Sequence, residues 1–168
     1  MSKVNTIVSM KGFVEYARIF PENMDDNMDF HAATQGQYNM NFYPATEEEA
    51  SKFFDAGAPT SSMGHDTLKD GNPNLGIGRF LKLKRPNVHP KVADFGGAPK
   101  VFDFTDGAST KRWSIEEGEL GNGTEVIVKV SLWGSKKGDS RMSIRLEKVA
   151  VVNHVEFDGA PAEREDTF

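Results

Sequence analysis

At 168 residues, with 38% hydrophobic and 27% charged side chains, the chain is sized and composed for one globular domain with a real core. It has no cysteine, which excludes disulfides and thiolate metal sites, and no apolar run of membrane-spanning length. The net charge of −5 conceals a division: residues 1–75 carry 5 basic and 11 acidic side chains, residues 76–148 carry 14 and 9, and residues 149–168 carry one and five. A basic middle before an acidic end favours a polyanion partner only weakly, because solvated charged faces are common. The first ten residues, MSKVNTIVSM, lack a signal-peptide pattern, so an intracellular protein with no membrane association is expected.

In chain order, residues 3–20 are β-rich, with a break at Lys11-Gly12 where a glycine allows one strand to bend across two sheets. Residues 37–43 alternate, Tyr38, Met40 and Phe42 on one face and Gln37, Asn39 and Asn41 on the other, until Pro44 ends the strand. Thr46 with Glu49 three residues on is a capping-box pattern, and Glu47, Glu48 and Glu49 suit the positive end of a helix dipole. Ala50, Phe53 and Phe54 make that helix's core stripe, and Gly57 is a natural terminator. Residues 58–77 are rich in turn formers and predict a loop. Strands are predicted at 79–85, near 100–104, at 123–134 and at 141–157. In the last, the apolar phase moves from Met142, Ile144 and Leu146 to Val149 and Val151, which predicts a one-residue bulge at Glu147-Lys148. Bent strands, one short helix and a bulged closing strand predict a mainly β, five-stranded OB-fold-like barrel over residues 1–157, with a flexible acidic tail at 158–168.

Enzyme chemistry finds no foothold. The histidines at 31, 65, 89 and 154 match no metal-ligand spacing. The Asp25, Asp26, Asp29 and His31 cluster reads as a solvated loop rather than a cation site. GNPNLGIGRF lacks the Gly-Lys-Ser/Thr ending of a phosphate loop, and no serine sits in a nucleophile elbow. No catalytic residue, cofactor or metal is expected.

Binding chemistry is better represented. Single strands are held by cations tracking phosphates and aromatic faces stacking bases, both on one exposed face. In 123–134, Val126, Val128, Val130 and Leu132 make a buried face, leaving Lys129, Ser131 and Trp133 on the other. In 79–85, inward Leu81 and Leu83 leave Phe80, Lys82 and Lys84 outside. The last hairpin adds Lys136 and Lys137, and the closing strand adds Arg141 and Arg145 on its outer face. Trp133 can instead pack under a loop, and Phe80 can join the core if its strand twists. Tyr16 and Arg18 share a face, in a strand whose phase is ambiguous; Trp113 reads either way. The tail, DGAPAEREDTF, cannot bury enough surface to fold alone. Its acids are positioned to compete with phosphates for a basic groove. Glu163, Glu165, Asp166 and terminal Phe168 offer a partner both charge and an apolar anchor.

The order of these features resembles the single-stranded DNA-binding proteins of short-tailed and related bacteriophages. The likeness rests on GFVEYARIFPE (12–22), QYNMNFYP (37–44), LGNGTEVIVKVSLW (120–133), RLEKVAVVNHVEF (145–157) and an acidic tail ending in Phe168, and runs over nearly the whole chain. It implies an OB-fold protein that coats single strands in the host cytoplasm during phage replication, recombination and repair. It also implies that the tail recruits the phage DNA polymerase and helicase-primase and supports a homodimer. Trp133 is then the stacking aromatic, Lys129, Lys136 and Lys137 are phosphate contacts, and Phe168 is the partner anchor. The alternative is a phage structural or assembly β-barrel that binds protein.

Overall fold

The computed structural model describes residues 4–25, 35–56, 68–88, 96–107, 111–134 and 143–156. Strand β1, Val4–Arg18, is long because it pairs with a different neighbour along each half of its length. From Val4 to Phe13 it pairs antiparallel with β6 (Glu125–Gly134), and from Gly12 to Arg18 with β2 (Gln37–Pro44). The exchange of partners falls at Gly12-Phe13, at the expected bend. A Cβ at Gly12 would run into the Tyr43 carbonyl and stand 2.8 Å from the Phe42 ring, so only glycine lets the strands cross this closely.

β2 is followed by helix α1, Glu47–Asp55, which buries Ala50 and Phe53. Half of the capping box forms: the Glu49 amide donates to Thr46 Oγ1 at 3.3 Å. The Glu49 carboxylate does not return to the cap. Its Oε1 accepts the Lys11 amide at 2.8 Å and the Lys52 ammonium at 3.0 Å, tying the helix to the bend of β1. Burial alone would raise the Glu49 pKa, but the Lys11 amide and Lys52 hold it below its ordinary value. A folded pKa lower than the unfolded one adds stability that is complete above about pH 4.3 and is lost as pH falls through the folded value. Glu49→Gln is therefore expected to unfold at lower urea than the parent at neutral pH, with the gap closing as pH falls through the carboxylate's lowered folded value. A gap of constant size across that range would show that the carboxylate's charge contributes nothing.

β3 (Lys69–Asp70) is a two-residue strand inside the expected loop, laid against β4 (Arg79–Pro86). β5 (Lys100–Asp103) pairs in parallel with β7 (Ser143–Asn153). The sheet order is β3-β4-β2-β1-β6-β7-β5. The five expected barrel strands are all present, as β1, β2, β4, β6 and β7 in OB order; the short strand expected near 100–104 is β5, and β3, which was not expected, brings the count among the described residues to seven. The barrel is partly open, with no ladder between β4 and β7 among the described residues. Pro86 has no N–H to offer there, and the β7 bulge interrupts the facing edge. A side chain spans the seam instead. Arg85, nearly buried, donates to Glu147 Oε1 at 2.8 Å, to the Leu146 carbonyl at 3.4 Å, and to the carbonyls of Gly97 (2.7 Å) and Gly96 (3.1 Å).

The bulge lies where the apolar phase shifts. Lys129 faces Lys148 and Val130 faces Leu146, leaving Glu147 as the extra residue. Val126, Val128, Val130 and Leu132 are fully buried, as are Leu146, Val149 and Val151. Trp113 belongs to this core: its Nε1 donates to the Gly118 carbonyl at 3.0 Å and its ring meets His154 edge-on at 4.9 Å. Gly57 lies outside the described residues, as do Asp26, Asp29 and His31. No helix among the described residues is long and apolar enough to cross a membrane.

Candidate nucleic-acid interface

The outer face of β6 presents the expected residues. Trp133 is 55% exposed, and Lys129, four residues before it on the same face, is exposed. Ser131 between them donates to Glu147 Oε2 at 2.6 Å. On the flanking strands Ile7 of β1, 64% exposed, faces Ser131, and Lys148 of β7 faces Lys129. Lys129 and Lys148 make no ion pair among the described residues.

Glu147 organises the next part of the wall. Besides Arg85 and Ser131 it takes the Arg145 guanidinium, Nε to Oε2 at 2.8 Å. Arg145 is on the outer side of β7, as expected, but its charge is shared with Glu147, which makes it a stiffener of the wall more than a free cation. Through the same carboxylate β4 is held beside β7 and β6, so the three elements expected to form a groove are neighbours around the barrel.

On β4, Leu81 and Leu83 are buried and Lys82 and Lys84 exposed, the alternation read from the sequence. Lys82 lies opposite Asn41 and Lys84 opposite Asn39, so neither meets an acid across the ladder. Phe80 is half-buried, its ring tilted on Tyr43 with centroids 5.4 Å apart, and Gly71 packs beside it. Much of this ring is occupied by the protein itself. The Tyr43 hydroxyl donates to Glu15 at 2.8 Å and accepts the Asn72 amide; burial first, and then Glu15, push its pKa up.

Tyr16 and Arg18 sit where β1 slips register against β2. Tyr16 has φ +54°, a left-handed conformation rare for an aromatic residue, held by its amide donating to Asn122 Oδ1 at 2.8 Å. The irregularity explains why the phase of this strand is not readable. It turns Tyr16 outward, 67% exposed, at the rim of a cavity of about 760 Å³ that Arg18 also lines. Asn23, Glu119 and Glu156 give the same cavity a mixed lining, less suited to a polyanion than the β4 and β6 faces.

Lys136, Lys137 and Arg141, and Glu163, Glu165, Asp166 and Phe168 of the tail, lie outside the described residues. Two residues of the wall were absent from the sequence reading. Lys148 follows from the bulge itself: once Val149 and Val151 turn inward, Lys148 must turn outward. Ile7 carried no signal, because Val4, Ile7 and Val8 do not set a phase until β1 is paired.

Set in an OB barrel, these residues invite comparison with known proteins. No protein-family model matches the sequence, and no curated protein matches it either. Solved structures do. The single-stranded DNA-binding protein of bacteriophage Enc34, in complex with single-stranded DNA, superposes with a TM-score of 0.57 at 14% identity, over 95% of this chain and 96% of its own. The chain has the fold of phage single-stranded DNA-binding proteins. A second such neighbour is gp2.5, a single-stranded DNA-binding protein encoded by bacteriophage T7, with a TM-score of 0.52 at 18% identity over 98% of this chain and 95% of that one. The likeness covers nearly the full length and lies in the fold rather than in the residues.

Proposed function

We propose that this protein binds single-stranded DNA without sequence preference and without catalysis, on the outer wall formed by β4, β7 and β6. The observation that carries the reading is the shared face of β6, an exposed tryptophan and an exposed lysine on a barrel wall where Lys82, Lys84 and Lys148 also lack acidic partners among the described residues. Exposing an indole to water is unfavourable for a plain surface and useful for stacking a base. Lys136, Lys137 and Arg141, between β6 and β7 in the sequence, supply further phosphate contacts. Phe80 lies two residues before Lys82 on β4, and exposed Tyr16 and Arg18 on β1 add an aromatic face and a cation of their own. The protein serves phage DNA replication, recombination and repair. Its tail competes for the wall through Glu163, Glu165 and Asp166, and offers Phe168 to the phage polymerase and helicase-primase.

Tryptophan emission titrated with oligo-dT at several salt concentrations tests this. Quenching is expected, with an affinity that falls as salt rises. Lys82→Ala, Lys84→Ala and Lys129→Ala should each reduce the slope of log K against log salt by about 0.7. Neutralising the tail with Glu163→Gln, Glu165→Gln and Asp166→Asn together should tighten binding. No quenching and no retention on single-stranded DNA at low salt would discard the reading in favour of a protein-binding barrel.

A further inference from the structure

We infer that the same DNA strand occupies a second stacking position, in a groove on the outer face of β5, β7 and β6 that nothing in the sequence reading singled out. The inference rests on the single-strand reading above. The groove holds about 400 Å³, with Phe102, Phe104, Ile127 and Ala150 lining its apolar part and Lys129 and Lys148 as its cations. Phe102 lies opposite Ala150 in the β5–β7 ladder, on the outer side, while its neighbour Val101 is buried. The Arg112 guanidinium lies over the Phe102 ring, 5.4 Å from its centroid, and brings a third cation to the margin.

Two features identify the occupant. Lys129 and Lys148 are directly opposed across β6 and β7, a like-charge pair whose repulsion an anion seated between them would relieve. Among the described residues lining the groove none is acidic. Aromatic faces beside paired cations match a nucleotide, with the base over the phenylalanines and the phosphate between the lysines. The groove is also continuous with the proposed path. Lys129 belongs both to it and to the Trp133 face, and Trp133 stands about 13 Å along the strand at 3.3 Å per residue. A strand that stacks on Trp133 and passes Lys129 therefore arrives at Phe102 and Phe104.

The test uses the full chain and oligo-dT of increasing length, with 5-iododeoxyuridine placed along the oligonucleotide for photocrosslinking. Trypsin releases residues 101–111 as one peptide carrying both Phe102 and Phe104, because Lys100 and Lys111 bound it. Crosslinks to this peptide are expected, in addition to crosslinks near Trp133. Phe102→Leu with Phe104→Leu keeps the apolar volume and removes the aromatic faces. It should weaken binding of long oligonucleotides about fivefold or more while leaving the shortest bound ones unchanged. Lys148→Ala, on the surface, is the second variant and should weaken long-oligonucleotide binding and lower its salt slope. If the parent binds oligo-dT but residues 101–111 take no crosslink and the Phe102→Leu with Phe104→Leu variant binds every length as the parent does, the second position is overturned and the first stands. If the parent binds no oligonucleotide, both fall. Displacement of the long-oligonucleotide effect by an acidic peptide, with no crosslink at 101–111, would assign the groove to a protein partner and also overturn the inference.

Discussion

Arg85→Ala is expected to lower the free energy of unfolding by about 3–5 kcal/mol, the usual cost of leaving one member of a buried ion pair without its partner. Arg85 is 8% exposed and donates to one carboxylate and three backbone carbonyls, so its loss leaves the open seam between β4 and β7 without its bridge. Glu147 keeps Arg145 and some contact with solvent, which places the cost toward the lower end of that range. Arg85→Lys should recover only part of the stability, because a single ammonium cannot reach the Gly96 and Gly97 carbonyls and the Glu147 carboxylate together. Urea unfolding followed by the emission of buried Trp113 measures this. A loss below about 1 kcal/mol would mean that hydrophobic contact alone closes the seam. The same substitution should weaken DNA binding as well, since it frees β4, with Lys82 and Lys84, from β7 and β6.

Trp133→Ala is expected to weaken oligo-dT binding by about 1–3 kcal/mol, the range found when a base loses its aromatic platform. Stability should change little, because the ring is 55% exposed and covers little core. Trp133→Phe should keep most of the affinity while removing most of the fluorescence quenching, since Trp113 is buried and bonded to the Gly118 carbonyl. Unchanged affinity in Trp133→Ala would sink the stacking claim and leave the lysines as the main determinants.

The alternating segments were legible wherever one face of a strand is fully buried. Val126 to Leu132 and Leu81 to Leu83 each announce an inward face, and the opposite face follows from the pleat alone. The bulge at Glu147 was legible for the same reason, because it is the single place where two apolar phases disagree. Tyr16 was not, since its direction depends on a left-handed residue held by Asn122, more than a hundred residues away in the chain. Nor was the position of Phe80, which Tyr43 and Gly71 cover from other elements.

Local periodicity and turn chemistry therefore determined the strands, the helix, the bend at Gly12 and the two cation-bearing faces, because those depend on neighbours within a few residues. Tertiary structure decided what those faces become. It brought Arg85 to Glu147 across a seam no ladder closes, and it engaged Arg145 while leaving Lys129 and Lys148 opposed. It also laid β5 beside β7, so that Phe102 and Phe104 border the same lysines. Each of these joins residues distant in sequence, and pairing at that range follows from how the whole barrel packs, which no local pattern encodes.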